Sequence, residues 1–150
     1  MKPIRNSGKA IIIQDEKMLL TVNKDDAGLF YLCPGGGQEH SESLRQAVIR
    51  ECLEEIGEEV EVQDLVCIRE YIGRNYIDGD PGMHQVEFFF ECNLVSPNPT
   101  FEHVPVPDDH QVGVEWVEVS RLDEIRFYPS ELGVRIKNKD KSKRYLGDIN

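Results

Sequence analysis

The stretch PGGGQEHSESLRQAVIRECLEEIGE (residues 34–58) decides the fold, because it contains the signals for a glycine turn followed by a helix. Ser43 and Gln46 have the S-x-x-Q spacing of a capping box, which closes the first turn of a helix. Gly57 stands where the end of a helix favours a left-handed residue. The sequence therefore predicts a helix from about Ser43 to Ile56.

Three glutamates of this helix, Glu51, Glu54 and Glu55, share an arc of roughly 100° at about 100° per residue. The arc borders the apolar stripe, so the carboxylates are expected beside the core. Like charges at this spacing destabilise a helix by up to about half a kcal/mol per pair. A hard divalent cation would offset that cost, since Mg²⁺ and Mn²⁺ prefer oxygen ligands. The alternative is an acidic helix face in solvent, which an acidic protein can carry without any ligand.

The glycines before the helix change the balance between these two interpretations. Pro34-Gly35-Gly36-Gly37 reads as a strand-to-loop segment whose main chain can approach an ion or a phosphate closely. Three consecutive glycines would serve an ordinary tight turn equally well. The combination of these glycines with the three carboxylates nevertheless favours an ion site over a solvated acidic helix face.

The rest of the chain mixes strands and helices, which predicts the α/β class with a mixed sheet and helices packed on its faces. A hairpin is expected across Gln14-Asp15-Glu16, and residues 120–137 are expected to be helical in two pieces broken near Pro129. The β-rich runs are Lys9–Ile13, Lys17–Val22, Leu29–Cys33, Val60–Tyr76, Val86–Val95 and Val114–Val119.

Length and composition predict one domain over residues 1–150 with a single core, since the chain has 150 residues of which 39% are hydrophobic. The four cysteines form no CxxC pair and are expected to be reduced core residues. No apolar run approaches the roughly 18 residues that span a bilayer, and the first residues lack the apolar segment of a signal peptide. A cytoplasmic protein without membrane contact is therefore expected.

Charge argues against a nucleic acid partner, because 17 Lys and Arg oppose 28 Asp and Glu, giving a net charge of −11. Duplex binding, or a channel for an RNA transcript, draws on clustered basic side chains that neutralise phosphates. The basic cluster near the C-terminus is expected to be a solvated tail, with residues 138–150 flexible. Its members are Arg135, Lys137, Lys139, Lys141, Lys143 and Arg144.

The residues from Gly36 to Glu58 resemble the Nudix box, G-x5-E-x7-R-E-U-x-E-E-x-G-U, in which U is a bulky apolar residue. All seven fixed positions of the pattern match. The two U positions depart: Cys52 is small but apolar and should still pack, whereas Glu58 stands where an aliphatic residue is usual. An acid at that position is expected to face solvent.

The resemblance implies a single-domain α/β/α sandwich with a mixed sheet, and hydrolysis of a nucleoside diphosphate linked to another moiety. It implies Mg²⁺ or Mn²⁺ as the cofactor and no organic cofactor. Glu51, Glu54 and Glu55 would be metal ligands together with the carbonyl of Gly36. Glu54, Glu51 and Arg50 would carry catalysis, with Arg50 orienting the carboxylates.

Several features stay open at the level of sequence. Glu54 is the first candidate for the general base, while Asp109, His110 and Glu115 precede Trp116 and could supply an additional ligand or base. The substrate could be ADP-ribose or a related nucleotide sugar, or a nucleoside triphosphate. A nucleotide-binding module without turnover is the alternative function. The oligomeric state is open as well, including a homodimer.

Overall fold

The computed structural model describes residues 2–102 and 110–150. Within these ranges the chain forms nine strands and two α-helices, joined by short 3₁₀ turns at Gly73–Asn75 and Val119–Arg121. The elements are β1 (Arg5–Ile11), β2 (Ile13–Gln14), β3 (Lys17–Asp25), β4 (Gly28–Leu32), β5 (Gly35–Gly37), α1 (Leu44–Ile56), β6 (Val60–Ile72), β7 (His84–Leu94), β8 (Gln111–Glu118), α2 (Ser130–Lys137) and β9 (Tyr145–Asp148).

The strands form two sheets. The first has five strands in the order β5-β1-β7-β6-β9. It is mixed, because β1 runs parallel to β7 and β6 parallel to β9, while the other neighbours are antiparallel. In the second sheet the central strand β3 pairs antiparallel with β2, β4 and β8. The predicted mixed α/β class is thereby confirmed.

Helix α1 begins and ends where the sequence predicts. The Ser43 hydroxyl accepts a hydrogen bond from the Gln46 amide, and the Gln46 side chain accepts one from the Ser43 amide. Gly57 ends the helix in the left-handed region at φ 68°. The helix approaches β1 closely because Gly8 has no side chain: a Cβ there would lie 2.7 Å from Cγ2 of Val48. Burying that face fixes the position of the adjacent acidic edge.

Near the N-terminus, the run predicted over Lys9–Ile13 is split between the two sheets. Residues up to Ile11 belong to β1 in the five-stranded sheet, whereas Ile13 begins β2 in the other. The predicted hairpin is therefore confirmed only for β2 and β3, across Asp15 and Glu16, which both have positive φ. Because residues 11–13 are three consecutive isoleucines, the hydrophobic pattern carried no sign of the switch.

After β8 the structure differs from the prediction of two helical pieces. The α-helix after Pro129 is present as α2, but the earlier piece is reduced to the 3₁₀ turn at Val119–Arg121. Pro129 precedes the first residue of α2, where a proline does not interrupt the helical hydrogen bonds.

The predicted flexible tail also differs from what is found. The basic side chains of residues 137–144 are exposed, as expected, but Tyr145–Asp148 form β9 beside β6. Just beyond β9, the carbonyl of Ile149 accepts a hydrogen bond from Arg69, whose guanidinium also pairs with Glu87 at 2.6 Å. Both side chains of that pair are only 7% exposed. The chain end therefore completes a buried polar network.

Two further predictions concern burial. The four cysteines are free and buried, as predicted. Desolvation raises the pKa of the Cys67 thiol to about 11, which keeps that thiol protonated. Glu58, by contrast, is 7% exposed, so the expectation that it faces solvent is wrong. Its carboxylate accepts hydrogen bonds from the main-chain amides of Thr100 at 3.0 Å and Phe101 at 3.3 Å, which compensate for its burial.

No helix in the described ranges is long and apolar enough to span a membrane.

Candidate active site

The acidic edge of α1 lies against the glycine strand β5. Gly36 pairs with Gly8 of β1, and a Cβ at Gly36 would lie 2.5 Å from the carboxyl carbon of Glu51. The missing side chain therefore lets the Glu51 carboxylate lie directly on the main chain of β5. On the neighbouring residue, the amide of Gly35 donates a hydrogen bond of 3.2 Å to Glu55.

Arg50 joins the glycine strand to the carboxylates. Its guanidinium forms a bidentate pair with Glu42, with Nε–Oε2 at 2.8 Å and Nη2–Oε1 at 3.0 Å. The Nη1 atom donates to Glu51 at 2.9 Å and to Glu54 at 3.4 Å. The Nη2 atom also donates to the carbonyl of Gly37 at 3.0 Å. One planar cation thus restricts three acidic side chains and one carbonyl of the glycine strand.

The electrostatics of this cluster follow from the same contacts. The guanidinium of Arg50, assisted by the main-chain amide of Glu39, lowers the pKa of Glu42 to about 2. In turn, hydrogen bonds to Glu42 and Glu51 raise the pKa of Arg50 above its ordinary value. Glu42 is therefore ionised at neutral pH and holds Arg50 in place. Because both partners remain charged, their attraction offsets the loss of side-chain freedom in this fixed geometry.

The three glutamates predicted as ligands differ in exposure. The Glu51 side chain is 17% exposed and the Glu54 side chain 52% exposed, while Glu55 is half-buried. In this arrangement no three acidic, histidine or cysteine side chains of the described residues are grouped tightly enough to hold a metal ion. Their oxygen atoms are nevertheless the donors that a hard cation prefers. Glu54 can turn, since it is exposed and its 3.4 Å contact with Arg50 is long.

A cleft of about 260 Å³ opens beside Glu51, Glu55 and Gly36. Its lining also includes Arg5 and Lys9 of β1, which sequence reasoning did not single out. The Lys9 ammonium donates to the carbonyls of Cys33 at 3.3 Å and Gly35 at 3.4 Å. A lysine inside the apolar run Gly-Lys-Ala-Ile-Ile-Ile was the available sequence signal, because a buried strand interior rarely contains one.

Gln111 is a second residue that sequence reasoning missed. Its side-chain Nε2 donates to the carbonyl of Glu55 at 2.9 Å and to that of Gly113 at 3.3 Å, and the residue lines the same cleft. It therefore links the start of β8 to the last turn of α1. A single polar residue before an alternating strand gives no signal by which it could have been selected.

The additional candidates for the general base are not brought into the cleft. His110 is exposed, and its main-chain carbonyl accepts from the Lys24 amide at 3.0 Å. Glu115 lies opposite Leu20 on β3 and close to Tyr31, whose pKa is raised by burial and by the Glu115 carboxylate. Neither His110 nor Glu115 lines the cleft. Asp109 lies outside the described residues.

A larger cavity of about 350 Å³ lies between α2 and the sheets. Apolar side chains such as Val66, Leu132 and Ile136 form much of its wall. It contains none of the glycine strand and none of the three predicted glutamates. The smaller cleft is therefore the candidate active site, because it joins carboxylates, main-chain groups and basic side chains.

The NUDIX domain model matches residues 4–135. The chain belongs to the Nudix family. A hydrolase acting on acid anhydrides, the enzyme class expected from the sequence, agrees with this membership. Comparison with functionally curated proteins found no match.

Solved structures support the same fold. A Nudix hydrolase from Nitrosomonas europaea is similar with a TM-score of 0.73 and 24% identity, over 95% of this chain and 93% of that one. A MutT Nudix hydrolase from Burkholderia pseudomallei has a TM-score of 0.69 and 24% identity, over 89% and 98%. An ADP-ribose pyrophosphatase from Streptococcus suis has a TM-score of 0.63 and 21% identity, over 99% and 100%. At these identities the likeness establishes the fold alone.

Proposed function

We propose that this Nudix protein is a divalent-cation-dependent hydrolase that cleaves the pyrophosphate bond of a nucleoside diphosphate linked to another moiety. The observation that carries the proposal is the contact of Glu51 and Glu55 with the glycine strand, beside a cleft that also holds basic side chains. Acidic groups alone would repel an anionic substrate. Carboxylates that hold a cation, together with positive side chains nearby, can instead bind the phosphate chain of such a substrate.

The cation would be held by Glu51, Glu54 and Glu55, with the carbonyl of Gly36 as a further ligand. Nudix hydrolases generally need a divalent metal, and oxygen donors of this kind suit Mg²⁺ or Mn²⁺. When bound, such a cation neutralises phosphate charge and lowers the pKa of an attacking water. The contact between Glu51 and Gly36 supports this assignment, because any side chain at Gly36 would displace the carboxylate.

Arg50 and Glu54 would have different roles. Arg50 is a positioning residue: its bonds to Glu42 and Gly37 fix the guanidinium, which then restrains Glu51. Glu54 is the first candidate for the general base. Its side chain does not line the cleft in this arrangement, but it is half exposed and its contact with Arg50 is long, so it can turn towards the cleft.

The substrate proposed is a small nucleotide derivative, either ADP-ribose or a related nucleotide sugar, or a nucleoside triphosphate. Two structural neighbours are named an ADP-ribose pyrophosphatase and a UDP-X diphosphatase, which supports testing ADP-ribose and UDP derivatives first. The retained set of Glu51, Glu54 and Glu55 favours turnover over a nucleotide-binding module that has lost it.

A hydrolysis screen tests this proposal. The purified chain would be incubated with Mg²⁺ or Mn²⁺ and a panel of nucleotide sugars, dinucleotides and triphosphates, with products identified by mass. We expect a nucleoside monophosphate from at least one substrate, and no product when a chelator removes the cation. Saturable nucleotide binding without hydrolysis of any compound would contradict the proposal and support the binding module.

A further inference from the structure

Two basic side chains of β1 face the candidate active site. Arg5 and Lys9 are four residues apart on one strand, so they lie on the same face of the sheet. Both line the cleft together with Glu51 and Glu55. Their roles differ, because the Lys9 ammonium already donates to the carbonyls of Cys33 and Gly35. Lys9 thus holds the turn that precedes the glycine strand.

The guanidinium of Arg5 is seated over the last residue of the glycine strand. A Cβ at Gly37 would lie 2.2 Å from Nη2 of Arg5, 2.3 Å from Nε and 2.6 Å from Cζ. Gly37 is thus open on the side where Arg5 lies, while its carbonyl accepts from Arg50. The neighbouring Gly36 carries the Glu51 carboxylate. Because successive residues of a strand point to opposite faces, Glu51 and Arg5 lie on opposite faces of this short edge strand, and both line the cleft.

Arg5 has no partner of its own among the residues that the structure describes. Across residues 2–102 and 110–150, its guanidinium forms no hydrogen bond or ion pair, although the chain carries a net charge of −11. It is also exposed. A planar fork of unused donors at the mouth of a cleft suits a phosphate group, which accepts two parallel hydrogen bonds from a guanidinium.

We propose that Arg5 binds non-bridging oxygens of the substrate's phosphate chain and holds that chain in the cleft that Glu51 and Glu55 also line. The inference rests on the proposed function and deepens it, because it assigns the second wall of the site. Arg5 touches a phosphate rather than the attacking water. Its contact is therefore present both before and during the reaction, and its loss raises KM more than it lowers kcat.

The first test compares two substitutions of Arg5: alanine removes the side chain, whereas lysine keeps its charge. Arg5→Ala should raise KM for the substrate found in the hydrolysis screen about tenfold, with kcat changed less than about twofold, since a charge-assisted bidentate contact is of that size. Arg5→Lys should recover only part of the loss, because an ammonium cannot form the fork. Arg74→Ala is the matched control, since Arg74 is exposed in the 3₁₀ turn after β6 and does not line the cleft.

Binding without turnover gives an independent measurement. Methylenediphosphonate, whose P–C–P bridge cannot be hydrolysed, would be titrated calorimetrically in the presence of Mg²⁺. We expect its Kd to rise about tenfold in Arg5→Ala and to stay unchanged in Arg74→Ala. If the wild-type chain binds this probe through Arg5 but hydrolyses nothing, the role of Arg5 is supported and the proposed function is contradicted.

A second variant displaces Arg5 without removing its charge. Gly37→Ala would put a methyl group where the guanidinium lies, and we expect it to weaken methylenediphosphonate binding in the wild-type background. In an Arg5→Ala background the same substitution should add almost nothing, because the atoms that it displaces are gone. Additive effects of the two substitutions, or normal KM and Kd in Arg5→Ala of an active enzyme, would overturn the proposal.

Discussion

Among single residues, Arg50 organises the acidic groups more than any glutamate does. It holds Glu42 in a bidentate pair, restrains Glu51, and reaches Glu54 by a longer contact. The sequence predicted Arg50 as an orienting residue through the box pattern alone. Its pairing with Glu42 explains that role physically. The ionised Glu42 carboxylate fixes the orientation of the guanidinium, whose Nη1 atom then donates to Glu51.

Replacing Glu54 tests its place in the reaction. We expect Glu54→Gln to lower kcat by at least about 100-fold, since it removes both a charge and a candidate base. Thermal unfolding should be nearly unchanged, because the side chain is 52% exposed. Glu59→Gln, an exposed residue just after the helix, is the control. Full activity of Glu54→Gln would remove Glu54 from the mechanism.

Replacing Glu42 tests the electrostatics of the Arg50 cluster through pH. The pKa of Glu42 is lowered to about 2 in the folded chain from an ordinary value of 4.5. Its contribution to stability is therefore complete above about pH 4.5 and is lost as pH falls towards 2. In urea unfolding, Glu42→Gln should be less stable than wild type at pH 7, and the difference should shrink by pH 3. An unchanging difference would contradict this.

At the scale of elements, α1 was predictable because its signals are local. Ser43 and Gln46 set its first turn and Gly57 sets its end, so each signal lies within a few residues of its own boundary, and the structure confirms both. The glycine segment was harder. It was expected to be a strand-to-loop segment, yet Gly35–Gly37 pair with β1. That pairing depends on Gly8 and Lys9, which are distant in sequence, so no local pattern could indicate it.

The cap of α1 gives a prediction about stability. Ser43→Ala removes the hydroxyl that accepts from the Gln46 amide, and should lower the free energy of unfolding by about 1 kcal/mol. Chemical denaturation measures this directly. Ser120→Ala, at an exposed position in the 3₁₀ turn after β8, should have no comparable effect. Equal losses in both variants would argue against the capping box.

At the scale of the whole molecule, long-range pairing decided what the sequence could not predict. The order of strands, the switch of Lys9–Ile13 between sheets, and β9 all depend on contacts between distant segments. The same holds for the site. The box pattern gave the α1 wall of the cleft, whereas the wall with Arg5, Lys9 and Gln111 comes together only when β1 and β8 take their places.

Removing the chain end tests whether β9 is part of the fold. Ending the chain after Arg144 deletes the strand and the Ile149 carbonyl that accepts from the buried Arg69. We expect the free energy of unfolding to fall by on the order of 2 kcal/mol, because a buried charged donor loses its partner. Lys141→Gln with Lys143→Gln, which changes the exposed basic residues alone, should leave stability intact. Unchanged stability after the deletion would favour the flexible tail expected from the sequence.

The most direct test of the account is anomalous diffraction from a crystal of this protein soaked in Mn²⁺. We predict an ion between α1 and the glycine strand, contacted by Glu51, Glu54, Glu55 and the carbonyl of Gly36, with Glu54 released from Arg50. The soaked crystal would contradict the account if no ion lay in the cleft and all three glutamates kept the partners they have without metal.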